Sequence, residues 1–162
     1  MTSIPSAIGL TMIAGYWLSM LGMVVNAYFH FNTNTMEAYL TPERETLIAL
    51  MERAGIEVVE NAALCRLRDN KFAGFTLSRP STQFIEVIIC TDAIKQHMPG
   101  LRSAIEINRT VDHEALHAAQ FCKNDYSPGS VSDDWTTDNE LEAQSYEDRP
   151  QEVGEKLIEF CF

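Results

Sequence analysis

His113-Glu114-Ala115-Leu116-His117 is the part of the sequence from which fold and chemistry are predicted most directly. It carries two histidines four positions apart, and at about 3.6 residues per helical turn such residues lie on one face of a helix. Both imidazoles can then reach a single metal ion, with Glu114 beside them as a base. The pattern predicts a metal site on a helix that extends over residues 102–123.

The predicted helix also has an apolar side, which points away from the histidines. This apolar stripe consists of Val111, Ala115, Ala118 and Cys122. At about 100° per residue it lies roughly opposite His113 and His117. The histidines should therefore face a space of their own, while the small alanines permit close packing of neighbouring elements.

Runs of β-branched and aromatic residues before this helix predict a small sheet. The strongest strand candidate is 84–90 (FIEVIIC), and 56–60 and 72–77 are further candidates. Helices are predicted at 43–54 and 150–160, the second opened by a proline. The expected fold class is α+β, with a short sheet packed on the motif helix.

Two histidines do not hold a catalytic metal ion alone, because three protein ligands and one open position are usual. The candidates for the third ligand are Cys90, His97, Asp133, Asp134, Asp138, Glu140, Glu142 and Glu147. Thr137 and Glu140 have the spacing of a capping box, in which Glu140 would be engaged at its own helix start. This favours Glu142 as the ligand, with Glu140 and Asp138 as alternatives.

HEALH, followed about 25 residues later by Glu142-Ala143-Gln144-Ser145-Tyr146, resembles the pattern of the gluzincin class of zinc metallopeptidases. The second segment is also similar to the ligand helix of the ImmA/IrrE-like minimal peptidases. The resemblance implies a zincin-like domain that binds Zn²⁺ through His113, His117 and Glu142. It further implies hydrolysis of peptide or protein substrates with Glu114 as general base.

The resemblance also implies that strand 84–90 is the sheet edge on which an extended substrate lies. A donor for the developing oxyanion is needed as well, and Tyr146 is preferred for it over Tyr126 and His97, although a packed aromatic side chain is the role favoured for Tyr146. Asp112 and Gln120 flank the ligands and can orient an imidazole. A surface position is nevertheless expected for Asp112.

Residues 8–29 are apolar and long enough to span a bilayer as a helix, and no Asp, Glu, Lys or Arg precedes Glu37. An uncleaved membrane anchor is the preferred interpretation, with a cleaved signal peptide, a buried soluble helix or a start at Met36 as alternatives. The predicted organisation is an N-terminal helix and linker, residues 1–35, and a catalytic domain, residues 36–162. A faint excess of arginine after the segment places this domain on the cytoplasmic side.

The charge and the cysteines of the chain argue against several kinds of partner, metal site and activity. The net charge of -11 argues against nucleic acid as a partner, because phosphate binding needs clustered Lys and Arg. The four cysteines form no CxxC pair and so predict no structural zinc site, and free thiols are slightly preferred over disulfides. A deformylase-like amidase is disfavoured, because Cys90 lacks that family's Gly-Cys-Leu context. The alternative function is a non-enzymatic membrane-attached protein with a structural or vestigial metal site.

Overall fold

Three strands form a mixed sheet, and its centre is the strand with the most β-branched residues. The computed structural model describes residues 35–67, 73–125 and 133–162, without the side chains of 133–137. Strands β1 (Glu57–Glu60), β2 (Gly74–Arg79) and β3 (Phe84–Ile89) lie in the order β1-β3-β2. β3 pairs in parallel with β1 and antiparallel with β2. Because β3 is covered on both faces, its sequence is a nearly continuous apolar run.

Six α-helices accompany the sheet in the described residues, so the α+β prediction is confirmed. They are α1 (Pro42–Arg53), α2 (Ala63–Leu67), α3 (Thr91–His97), α4 (Leu101–Lys123), α5 (Asp133–Tyr146) and α6 (Pro150–Cys161). Two 3-10 turns cover Met36–Tyr39 and Pro80–Thr82. Proline at the first position opens both α1 and α6, where its missing N–H leaves no hydrogen bond unmade.

Helix α4 carries the HExxH motif and packs against both α1 and α6 and against β2 and β3. Its predicted apolar stripe is confirmed, because Val111, Ala115 and Ala118 are fully buried. Ile107 and Leu116 extend this buried surface. Burying one such side chain contributes about 1.5 to 3 kcal/mol to folding stability. The motif therefore lies on the central, most firmly packed helix of the fold.

All four cysteines form disulfides, so the preference for free thiols was wrong. Cys65 is bonded to Cys90 and Cys122 to Cys161. The partners are 25 and 39 residues apart in sequence, and only the folded chain brings their Cα atoms to 5.6 and 5.2 Å. Because each bond restricts the unfolded chain, it contributes on the order of 3 to 4 kcal/mol to the stability of the folded state. The second bond ties the end of α4 to the end of α6.

Two further expectations are corrected. The strand predicted as the sheet edge, 84–90, is central, because β3 pairs on both sides, and β2 lies at an edge instead. Helix α5 begins at Asp133, so Thr137 lies inside the helix and the predicted capping box is absent. Glu140 is therefore not engaged at a helix start.

The predicted N-terminal helix, residues 8–29, lies outside the residues that the structure describes. Thr35–Phe162 form one compact unit. Within the described ranges, none of the helices combines the length and the apolar character needed to cross a membrane.

Candidate metal centre

His113 and His117 project from one face of α4 with their Nε2 atoms 3.1 Å apart. Glu140 reaches the same point from α5. Its Oε2 lies 3.3 Å from Nε2 of His113, and its Oε1 lies 3.2 Å from Nε2 of His117. The imidazoles are 17% and 13% exposed, so the cluster is shielded but reachable. One ligand atom from each residue can thus share a single cation.

The spacing of these three groups fits zinc. Zinc binds imidazole nitrogen and carboxylate oxygen at about 2.0 to 2.2 Å in tetrahedral geometry, which separates ligand atoms by roughly 3.3 to 3.4 Å. The separations of 3.1, 3.2 and 3.3 Å are near that value, with Oε1 of Glu140 toward His117 and Oε2 toward His113. With one ligand atom from each residue, all three lie within 4.8 Å of one another. The donor set, two imidazoles and one carboxylate, is also one that catalytic zinc sites use.

The outer nitrogens of both rings have their own partners. Nδ1 of His117 lies 2.8 Å from Oε1 of Gln120, and Nδ1 of His113 lies 3.3 Å from Oε1 of Glu147. Both partners offer acceptor atoms to Nδ1, an arrangement that suits the tautomer in which Nε2 carries the free lone pair that a metal ion needs. Burial lowers the pKa of His117, which keeps that ring neutral. Gln120 thus makes the contact with an imidazole that an orienting role requires.

In this tautomer, three electron-rich groups face one another at the centre of the site. Two Nε2 lone pairs and the carboxylate of Glu140 face one another at 3.1 to 3.3 Å. Lone pairs at such distances repel unless a proton or a cation lies between them. The contacts of the two Nδ1 atoms therefore favour the binding of a positively charged group between the Nε2 atoms and Glu140.

Glu114, the central carboxylate of the motif, is 6% exposed and held by the sheet. The hydroxyl of Thr76 on β2 donates to its Oε2 over 2.7 Å. The pKa of Glu114 is raised to about 8, mainly by burial; the Thr76 hydrogen bond opposes the shift, and the nearby charge of Glu140 adds to it. Glycine is needed at Gly74, because a Cβ there would lie 2.8 Å from Cγ of Glu114.

These groups lie in a cleft of about 510 Å³ between β2, α4 and α5. Gly74, Thr76 and Leu77 form part of its β2 wall. The cleft also contains His113, His117, Glu140 and Glu147. An edge strand, a buried carboxylate and a candidate metal site are therefore open to the same space.

Comparison with known proteins adds a family without a known function. A family model described as a domain of unknown function, DUF8637, matches residues 36–134. The chain belongs to this family. The matched segment includes the whole of α4, and it ends before Glu140. No curated protein and no solved structure matches the chain.

Glu142, the predicted third ligand, faces a different direction from Glu140. Its Oε2 accepts a hydrogen bond of 2.9 Å from Nε2 of Gln120, and its side chain is exposed. Residues two apart on a helix are separated by about 200°, so only one of this pair can face the imidazoles. Glu147 lies seven residues after Glu140, in the turn that follows α5, and its carboxylate also reaches His113. This period of seven is the sequence signal that could have identified Glu140.

The remaining candidates are dispersed. Tyr146 packs against the hydrophobic core and is not among the residues that line the cleft. Cys90 is in a disulfide, and the side chains of Asp133 and Asp134 lie outside the described residues. Asp138 and His97 are exposed and are not part of the donor group around His113 and His117. Tyr126 also lies outside the described part of the chain.

Asp112 is fully buried, so the expected surface position was wrong. Arg44 of α1 binds both of its carboxylate oxygens, with Nε to Oδ1 at 3.1 Å and Nη2 to Oδ2 at 2.6 Å. The backbone N–H of Asp148 donates to Oδ2 as well, over 3.0 Å. Burial raises the pKa of Asp112, and the bond from Arg44 counteracts the shift. Asp112 thus joins α1, α4 and the turn before α6.

Proposed function

We propose that residues 36–162 form a zinc-dependent peptidase domain with His113, His117 and Glu140 as metal ligands and Glu114 as general base. The observation that carries the proposal is the convergence of two Nε2 lone pairs and one carboxylate at 3.1 to 3.3 Å. This assignment replaces Glu142 by Glu140 and keeps the other residues that the motif predicts.

Zinc suits this site better than calcium or magnesium, because imidazole nitrogen is a poor ligand for those hard cations. Zinc held by His113, His117 and Glu140 would lower the pKa of a water molecule and polarise a carbonyl group. Three protein ligands are the number that catalytic zinc sites use.

Glu114 is suited to take and return a proton. Its Oε2 is occupied by the Thr76 hydroxyl, which leaves Oε1 as the oxygen for proton transfer. Burial increases the proton affinity of the carboxylate, and a base with a pKa near the working pH is the most effective. Because Thr76 holds one oxygen, the other keeps a constant orientation during transfer to a leaving amine.

The substrate class follows from the β2 wall of the cleft. β2 pairs with β3 on one side, and an extended peptide can add to the other side of an edge strand through backbone hydrogen bonds. Glu106, Glu140 and Glu147 make the cleft acidic, which favours neutral or basic peptide segments. An extended stretch of an unfolded protein fits these features.

The two disulfides support an oxidising compartment for this domain. Combined with an N-terminal membrane anchor, they favour the side opposite to the cytoplasm, contrary to the prediction from arginine counts. Alkylation of free thiols in protein isolated from its host, followed by mass spectrometry, tests this. Four alkylated cysteines would contradict it.

Metal analysis and a cleavage assay test the proposed activity. We expect about one zinc per chain in the wild type, loss of zinc in His117→Ala and Glu140→Ala, and retention in Asp138→Ala, an exposed control on the same helix. Glu114→Gln should retain zinc and fail to cleave an unfolded protein. Absence of zinc from the wild type would refute the proposal.

The same experiments distinguish the alternative function. A non-enzymatic protein with a structural metal site would retain zinc but cleave no substrate in the wild type. It would also show no difference between wild type and Glu114→Gln in any turnover assay. Only the enzyme requires both the metal and Glu114.

A further inference from the structure

Gln120 lies between His117 and Glu142 and contacts both of them. We propose that Gln120 and Glu142 are positioning residues that hold His117 in the tautomer able to bind metal through Nε2. This inference rests on the metal site proposed above and assigns a role to a carboxylate that is not itself a ligand.

The two ends of the Gln120 amide have different partners. Oε1 lies 2.8 Å from Nδ1 of His117, while Nε2 donates to Oε2 of Glu142 over 2.9 Å and to the carbonyl of Asn139 over 3.3 Å. A carboxylate accepts hydrogen bonds and cannot donate them. Glu142 therefore determines which end of the amide is the NH₂ group, and hence that oxygen faces His117.

The orientation matters because a neutral imidazole has only one N–H. An amide oxygen at Nδ1 stabilises the proton there and leaves the Nε2 lone pair free for a metal ion. If the amide rotates by about 180°, its NH₂ group faces Nδ1 and stabilises the tautomer protonated on Nε2. That tautomer cannot bind a metal ion through Nε2.

Glu142 is the stronger of the two anchors for this amide. Its hydrogen bond is charged and 2.9 Å long, whereas the bond to the carbonyl of Asn139 is neutral and 3.3 Å long. Gln120 is 6% exposed, and Glu142 and Asn139 are the protein groups that accept from its NH₂ group. Removing the carboxylate should therefore release the amide.

The contacts from Glu142 through Gln120 to His117 form a relay, and His113 has no comparable arrangement. Its Nδ1 lies next to Glu147, whose carboxylate offers only acceptor atoms and has no alternative orientation to exclude. The relay on His117 is the part of the site where a side-chain rotation can abolish a ligand. Helix α5 thus supplies one ligand directly through Glu140 and controls another through Glu142.

The test measures the tautomer of His117 in metal-free protein and the zinc affinity of the same variants. Nitrogen-15 NMR of labelled histidine reports which ring nitrogen carries the proton, at a pH where the ring is neutral. In the wild type we expect the proton on Nδ1, because Oε1 of Gln120 lies 2.8 Å from Nδ1 whereas the competing Oε1 of Glu140 lies 3.2 Å from Nε2. Glu142→Ala should shift the population toward Nε2–H and weaken zinc binding about 10- to 100-fold, measured by competition with a chelator.

Two variants serve as controls. Glu142→Gln retains a side-chain oxygen that accepts from Gln120, and so should keep the wild-type tautomer. Gln144→Ala removes an exposed side chain from the same helix and should change neither measurement. Together they separate the hydrogen-bond acceptor from any general effect on α5.

A reversed relay provides a stricter test. Gln120→Glu alone places two carboxylates in contact and should disturb the site, whereas adding Glu142→Gln gives an amide that donates to a carboxylate next to His117. The double variant should restore Nδ1–H and most of the zinc affinity.

A wild-type tautomer in Glu142→Ala would overturn the relay, even if affinity fell. A wild type that binds no zinc would refute the proposed function, while the tautomer data still decide whether the relay exists.

Discussion

Thr76 on the edge strand donates a hydrogen bond of 2.7 Å to Glu114, the central carboxylate of the HExxH helix. The same hydroxyl oxygen lies 2.9 Å from the backbone carbonyl of Glu114. Sheet and motif helix are thereby joined at the residue proposed as general base. Neither the motif nor the resemblance indicates this contact, which joins positions 38 residues apart.

Thr76→Val should reduce kcat strongly, because valine keeps the shape of threonine but removes the hydroxyl that orients Glu114. A hydrogen bond to a charged group contributes about 1.5 to 3 kcal/mol, equivalent to roughly a 10- to 100-fold lower rate. Thr76→Ser, the matched control, should retain most of the activity. Steady-state kinetics and zinc content are to be measured together. Equal rates for the two variants, with zinc bound in both, would show that the hydroxyl does not orient the base.

Gly74→Ala should destabilise the domain and displace Glu114. The added Cβ would lie 2.7 Å from Cγ2 of Thr110 and 2.8 Å from Cγ of Glu114, closer than carbon atoms approach without movement. Overpacking of this kind costs about 1 to 3 kcal/mol. The measurement is the free energy of unfolding by urea.

Gly154→Ala is the control for this substitution and should act in the opposite direction. Gly154 lies within α6, and a Cβ there would meet only Leu50 and Leu47, at 3.8 and 3.9 Å. Alanine in a helix interior is more stable than glycine by roughly 0.5 to 1 kcal/mol. If both variants were equally stable, the close approach of β2 to α4 would not be the reason for glycine at position 74.

Replacing both Cys122 and Cys161 by serine should lower the unfolding free energy by about 3 to 4 kcal/mol, because the unfolded chain loses a constraint. The bond holds the end of α4, so the loss should be visible as a lower melting temperature in non-reducing buffer. In reducing buffer the difference between wild type and variant should shrink. An unchanged difference under reducing conditions would mean that the substitutions act through packing.

The stability of metal-free protein should fall as pH rises toward about 8. Folded Glu114 has its pKa raised to about 8, mainly by burial, whereas in the unfolded chain the pKa is near 4.5. Between these values the folded state binds a proton that the unfolded state has lost, so the contribution is full below about 4.5 and disappears as pH passes 8. This contribution of Glu114 to the free energy of unfolding is on the order of a few kcal/mol.

Urea unfolding in the presence of a chelator, from about pH 5 to pH 9, measures this dependence. Glu114→Gln should show a flatter profile than the wild type, because glutamine does not titrate. The lowered pKa of His117 acts in the opposite direction, reducing stability below about pH 6.5, and it is common to both proteins. Parallel profiles would contradict the prediction for Glu114.

The sequence by itself determined the elements that depend on local spacing. The long helix α4, its buried stripe and the common face of His113 and His117 follow from a helical repeat of about 3.6 residues. The existence of strand β3, though not its central position, followed from its β-branched composition, since β-branched side chains pack well in a pleated sheet. These predictions were confirmed because neighbours in sequence are sufficient to specify them.

Only the tertiary structure decided which distant groups meet the motif. It placed Glu140 instead of Glu142 beside the imidazoles, because α5 begins at Asp133 and turns residue 140 toward α4. It also paired the cysteines, made β2 the edge strand and brought Thr76 to Glu114. The metal-site, disulfide and Thr76–Glu114 contacts join residues more than 20 positions apart, whose meeting depends on how whole elements pack and on no local period.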